Sequence, residues 1–241
     1  MKINLLVSSL LLVILGSSSA LAQTNIVANR SRACSINPGY SMADVVATAR
    51  SFDWPEETAP GVVVFQEAVA AAGTFQNDYD FLFSAYYLSY TDMVEKRGAF
   101  RRRSGGRTGL GFSDVATCSD GVRISSVRFA SPRTGPIPSV SLSASTACQL
   151  NGATVADAVN LASSFEQNLE ARAAVVSRTF GGPRFPMNSG VGIRIFFPSA
   201  ADFGAALDRV QQNTPTPNQE NPISCSNGSL WVTHLIHARN N

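Results

Sequence analysis

Two segments of the chain carry the same helical beat. After Ser41, apolar residues fall at Met42, Val45, Val46 and Ala49; after Thr154 they fall at Val155, Ala158, Val159 and Ala162. The spacing i, i+3, i+4, i+7 puts each set on one face of a helix, and Phe52 and Phe165 extend both patterns alike. Each predicted helix opens with a hydroxyl residue followed three positions later by an acid, Ser41 with Asp44 and Thr154 with Asp157. The hydroxyl can accept from the free amides of the first turn, and the carboxylate sits at the positive end of the helix dipole. Both aspartates therefore read as helix starters, not as catalytic acids.

The match between the two parts of the chain continues on either side of these helices. TNIVANRSRAC precedes the first and PSVSLSASTAC the second, each reading as a strand that ends in cysteine. Two strand-like stretches follow each helix: GVVVFQEAV and FLFSAYYLS, then RAAVVSRTF and GVGIRIFFPS. YYLSYTD and FFPSAAD align at Ser89 and Ser199, each with an aspartate three residues on, Asp92 and Asp202, which predicts a second capped helix. That helix carries Met93 and Phe100 in one case and Phe203, Ala206, Leu207 and Val210 in the other. CSDGVRISSVRF from Cys118 and CSNGSLWVTHLIH from Cys225 close the two series as further strands.

Each series thus reads strand, helix, strand, strand, helix, strand, an order that resembles the ferredoxin-like split βαβ unit with four antiparallel strands. Two such units in one chain resemble the dimeric α/β barrel superfamily in its fused form. The implied fold is α+β: two ferredoxin-like βαββαβ repeats whose antiparallel sheets face each other in a pseudo-two-fold arrangement. The boundaries read as a signal peptide over residues 1–22, a first repeat over 23–134 and a second over 135–241. The superfamily includes small oxygenases and haem or quinone enzymes, but no motif here carries a catalytic residue across from them.

The four cysteines, Cys34, Cys118, Cys148 and Cys225, allow three pairings, and all three respect the repeat. In the sheet implied by the resemblance, the first strand lies antiparallel beside the fourth. That adjacency implies Cys34 with Cys118 and Cys148 with Cys225. Each bridge would close a loop of about 80 residues, worth roughly 4 to 5 kcal/mol in the chain-entropy model.

Alternation along the strands separates two faces. Phe81, Phe83, Ala85 and Tyr87, with Val191, Ile193, Ile195 and Phe197, form an apolar set suited to packing under helices; Ser84, Tyr86, Arg194 and Phe196 occupy the other face. Counting forward from the cysteines puts Ser126 and Arg128 with Trp231, Thr233 and Leu235, and Val127 and Phe129 with His234 and Ile236. Ser141, Ser143 and Ser145 alternate with Val140, Leu142 and Ala144. The two polar faces are expected to meet in a central cleft in which Arg194 meets a carboxylate or phosphate. Trp231 or Tyr86 would stack on a ring there, and Arg128, Thr233 and Ser141 complete the candidate ligand-binding set. The competing reading is a polar interface between the halves with Arg194 paired internally.

Charge and composition then narrow the function classes. Nineteen basic residues against seventeen acidic ones argue against a general nucleic-acid binder. Five arginines do cluster in RGAFRRRSGGR, from Arg97 to Arg107, which reads as a solvated helix end and loop, with polyanion binding as the minor alternative. MKINLLVSSLLLVILGSSSALAQ reads as a secretory signal peptide cleaved after Ala22, its apolar run too short to span a bilayer. A periplasmic or extracellular location follows, and no later membrane span is expected. No C-x-x-C pair occurs, and the two histidines, His234 and His237, stand three apart on a strand and should point to opposite faces. No metal or cofactor is therefore expected. The sequence favours an exported, disulfide-stabilised protein that binds a small molecule or a protein partner. The alternative is an enzyme of the dimeric α/β barrel kind acting on a small aromatic or anionic substrate without a protein-bound metal. Oligomeric state is not readable from the chain.

Overall fold

The computed structural model describes residues 26–71, 78–103, 112–131, 136–181, 190–212, 222–226 and 228–239. The signal segment, residues 1–22, and Arg107 of the basic run lie outside the described residues. The first part of the chain forms β1 (Ile26–Ile36), α1 (Met42–Arg50), β2 (Val62–Ala71), β3 (Phe81–Tyr87), α2 (Tyr90–Arg103), the short β4 (Ala116–Cys118) and β5 (Arg123–Phe129). The second forms β6 (Val140–Gln149), α3 (Val155–Asn168), β7 (Ala173–Gly181), β8 (Gly190–Phe197), α4 (Ala200–Gln212), the short β9 (Ser224–Cys225) and β10 (Ser229–Ala238).

The helix starts follow from local chemistry. Ser41 and Thr154 each head a capping box, the hydroxyl accepting from the amide of Asp44 or Asp157 while that carboxylate accepts from the cap's own amide. Ser89 and Ser199 accept from the amides of Asp92 and Asp202 at 3.0 and 3.2 Å, starting α2 and α4 the same way. None of the helices among the described residues is long and apolar enough to cross a membrane.

Every strand pairing is antiparallel, in the order β10-β2-β3-β1-β5-β7-β8-β6, and β6 pairs back onto β10. Eight strands therefore close into a barrel-like ring, with β4 and β9 as short additions beside β1 and β6. The sheet is continuous through the pairing of β5 with β7 and of β10 with β2. Edge strands left open would expose unpaired amides and carbonyls, and closure removes both edges of each half.

Helices cover the outside of the ring. Val45, Val46 and Ala49 of α1 and Met93 of α2 join Phe65, Phe81, Phe83, Ala85 and Tyr87 in one buried cluster. Ala158 and Ala162 of α3 join Ala174, Val176, Val191 and Ile193 in the other. On α4, Ala206 is buried, but Leu207 and Val210 are each 48% exposed, so its apolar spacing overstates how much of it is covered. Disulfides join Cys34 to Cys118 and Cys148 to Cys225, each between residues directly opposite in register. Both lie at the same end of the ring, where β1 and β6 finish and β3, β5, β8 and β10 begin.

Candidate functional site

The ring's interior is set by strand alternation. On β6, Ser141, Ser143 and Ser145 point inward opposite Thr233, Trp231 and Ser229 of β10. Their hydroxyls tie this seam together: Ser143 to Thr233 at 3.4 Å, Ser145 to Ser229 at 3.0 Å. The indole N–H of buried Trp231 donates to Ser145 Oγ at 2.9 Å and Ser229 Oγ at 2.7 Å, which fixes the plane of its ring. Arg194 of β8 stands opposite both Ser145 and Val175 and lays its guanidinium over the Trp231 ring, 5.3 Å from the centroid. A cation over an indole face is attracted by the ring quadrupole, more so when water is excluded.

Tyr86 of β3 faces the same interior, in register with Asn29 and Val62. Burial pushes its phenol above the ordinary tyrosine value, with the charge of Arg194 pulling the other way. Tyr79, just before β3, is raised by burial and opposed by Arg123 and Arg194. Burial in turn lowers Arg194, and the two phenols act against that. At neutral pH the cluster thus carries guanidinium charge and neutral phenol donors, and no carboxylate pairs with Arg194 among the described residues.

Gln66 of β2 adds a second unmatched donor. Its Oε1 accepts from Ser84 at 3.1 Å, while its Nε2 is buried without a partner. A buried donor left unpaired costs about 1–3 kcal/mol, so such groups usually mark a ligand or an ordered water. Arg194 and Gln66 together give the interior an excess of donors over acceptors.

Five of the six residues expected to bind ligand, Arg194, Trp231, Thr233, Tyr86 and Ser141, therefore share the interior. Arg128 does not. It pairs with Ile26 and Val176 on the outward, helix-bearing side, as Ser126 does with Ala28 and Arg178. Counting from the cysteines misplaced them because five positions separate Cys118 from Arg123, whereas four separate Cys225 from the matching Ser229. A slip of one residue sends every side chain of a strand to the other face. The inward residues of β5 are instead Arg123, Ser125, Val127 and Phe129, with Ser125 bonded to Thr179 across the β5–β7 seam at 3.1 Å.

The histidines are also corrected. A bulge between Leu235 and His237 puts His234 opposite Phe65 and His237 opposite Val63, both facing outward. His234 Nε2 lies 3.4 Å from Glu67 Oε2. His237 is half-buried, stacked on Trp54 with centroids 5.2 Å apart, and burial lowers its pKa. Gln66 and Ser229 are not singled out by the sequence, although strict alternation along VVVFQEAV marks Gln66 as sharing a face with Val64 and Val62.

The chain is similar to several solved structures. One is a "Putative monooxygenase" from Fusobacterium nucleatum subsp. nucleatum, with TM-score 0.51 and 8% identity over 91% of this chain and 96% of that one. An anthrone oxidase-like protein aligns with TM-score 0.47 and 14% identity over 91% of this chain and 98% of that one. A variant chlorite dismutase from Candidatus Nitrospira defluvii aligns with TM-score 0.44 and 12% identity over 86% and 90% of the two chains. No protein-family model and no curated protein matches the chain. At 8% identity the likeness to the first of these shows the fold alone.

Proposed function

We propose that this is an exported binding protein made of two ferredoxin-like units, which takes an anionic, ring-bearing small molecule inside the ring against Arg194 and Trp231. The observation that carries the reading is the donor excess: Arg194 without a carboxylate among the described residues, beside a fixed indole, and Gln66 Nε2 without an acceptor among them. A carboxylate or phosphate would neutralise the guanidinium, and a planar ring would stack on Trp231 or Tyr86. Strand orders β2-β3-β1-β5 and β7-β8-β6-β10 support the two-unit reading, because each places the first strand of its series between the third and the last. The two disulfides support export, since such bonds persist in oxidising compartments.

Native mass spectrometry of the protein recovered from that compartment tests the reading. The expected result is a retained small anion that is lost on denaturation and lost from Arg194→Gln, with the melting temperature of the variant unchanged. A bare mass in the wild type, or a ligand retained equally by Arg194→Gln, overturns it. Chemical conversion of the retained compound by the purified protein would move the assignment from binding protein to enzyme.

A further inference from the structure

Outside the ring, between β1 and α2, the first half holds a second place where positive charge is unmatched. A cavity there is lined by Arg30, Arg97, Trp54, Thr58, Phe83 and Tyr87, among others. About 20 Å³ is open to the centre of a water-sized sphere, room for one species little larger than water. Arg30 lies on the outward face of β1, in register with Ala85 and Ile124, and is 8% exposed. Its guanidinium has no hydrogen-bond or ion-pair partner among the described residues.

The surroundings deepen the imbalance. Arg97 of α2 is half-buried, 5.3 Å from the Phe100 ring centroid, and pairs with no carboxylate among the described residues. Trp54 Nε1 is buried with no acceptor, its ring held by the stack on His237. Burial, then the charges of Arg97, Arg32 and Arg101, push the Arg30 pKa down to about 10, which still leaves it charged at neutral pH. The nearby carboxylates are engaged elsewhere: Asp92 lies 3.9 Å from Lys96, and Glu57 pairs with Arg103. A buried cation with no counter-charge is costly, and folded proteins pair such groups.

We infer that this cavity is a binding site for a small monovalent anion of halide size, gripped by Arg30 and Arg97. The aromatic walls disfavour a second negative charge because each added charge must be desolvated. The site is separate from the interior cluster at Arg194: it faces the helices, and it uses neither Trp231 nor Tyr86.

Chloride-35 NMR line broadening on the whole protein, with bromide as competitor, tests the inference alongside anomalous scattering from bromide-soaked crystals. Saturable broadening is expected, with affinity weakened roughly tenfold or more in Arg30→Gln and in Arg97→Gln, the loss of one charge-assisted bond. Arg194→Gln should leave it unchanged, which keeps this result distinct from that for the interior site. Should Arg30→Gln fail to fold, Arg97→Gln and a bromide peak between Arg30 and Arg97 in the wild type decide the matter. Broadening that survives both substitutions, bromide confined to the exposed Arg101–Arg103 end of α2, or no saturable broadening at all would each overturn the inference.

Discussion

The two halves of the ring share a frame and differ in the charge they hold under their helices. Matching SRAC with STAC sets Arg30 against Ala144, and matching YYLS with FFPS sets Arg97 against Leu207 and Ser84 against Arg194. The first half therefore holds Arg30 and Arg97 under the helices, among Phe83, Tyr87 and Trp54, while its Arg123 faces the interior. In the second half the corresponding layer is aliphatic, built on Ala158, Ala162, Val176 and Ile193, and the cation faces the interior instead. One backbone plan has been filled in two ways. The frame depends on periodicity and caps, which both halves keep; the chemistry depends on single positions, which they do not.

The comparison can be broken first at the disulfides. Removing either bridge, as Cys34→Ser with Cys118→Ser or Cys148→Ser with Cys225→Ser, should cost about 2–5 kcal/mol in denaturant titrations. The bridged residues are 84 and 77 apart, so the chain-entropy argument makes the two losses nearly equal. A marked inequality would mean that the halves do not depend on their bridges alike. Next comes the core. Phe65→Ala, at the centre of the aromatic cluster with Phe81, Phe83 and Phe112, should cost about 3–5 kcal/mol by the same measurement. Val176→Ala in the aliphatic core removes less buried surface and should cost about half as much.

The smallest effects belong to the caps, where the halves should be indistinguishable. Ser41→Ala and Thr154→Ala should each cost about 1 kcal/mol. Hydrogen bonds with Ser41, side chain first and then backbone, hold Asp44 below the usual carboxylate value; for Asp157 the backbone bond of Thr154 comes first and then its hydroxyl. A folded pKa below the unfolded one contributes stability that is complete above the unfolded value of about 4 and drains away as pH falls through the folded value. Acid melting curves should show this loss in the wild type and less of it in Asp44→Asn and Asp157→Asn, by similar amounts.

Much of the frame was legible because it is written locally. Capping pairs, the i, i+3, i+4, i+7 spacing and the paired strand segments all act within a few residues, and the elements formed where they indicated. The candidate interior was legible wherever a strand is regular, which is why Tyr86, Ser141 and Arg194 came together. It failed where one residue is gained or lost. The extra position after Cys118 turned Arg128 outward, and the bulge before His237 brought both histidines to one side. Arg30 carried a usable signal, since it alternates in phase with Ala28 and Cys34 on the apolar face. A charged side chain in that phase marks a buried cation, but its lack of a partner depends on α2 and on Trp54, which sequence spacing does not bring near.

Pairing β10 with β2 has a temporal consequence. A chain made from its N-terminus forms β2 early, yet the edge of β2 turned away from β3 stays bare until the residues from Ser229 to Ala238 have been made. Contacts so distant in sequence form slowly, and an uncovered strand meanwhile invites pairing with another molecule. The last strand thus acts as a clasp, and a protein shortened by those ten residues should accumulate as intermolecular assemblies.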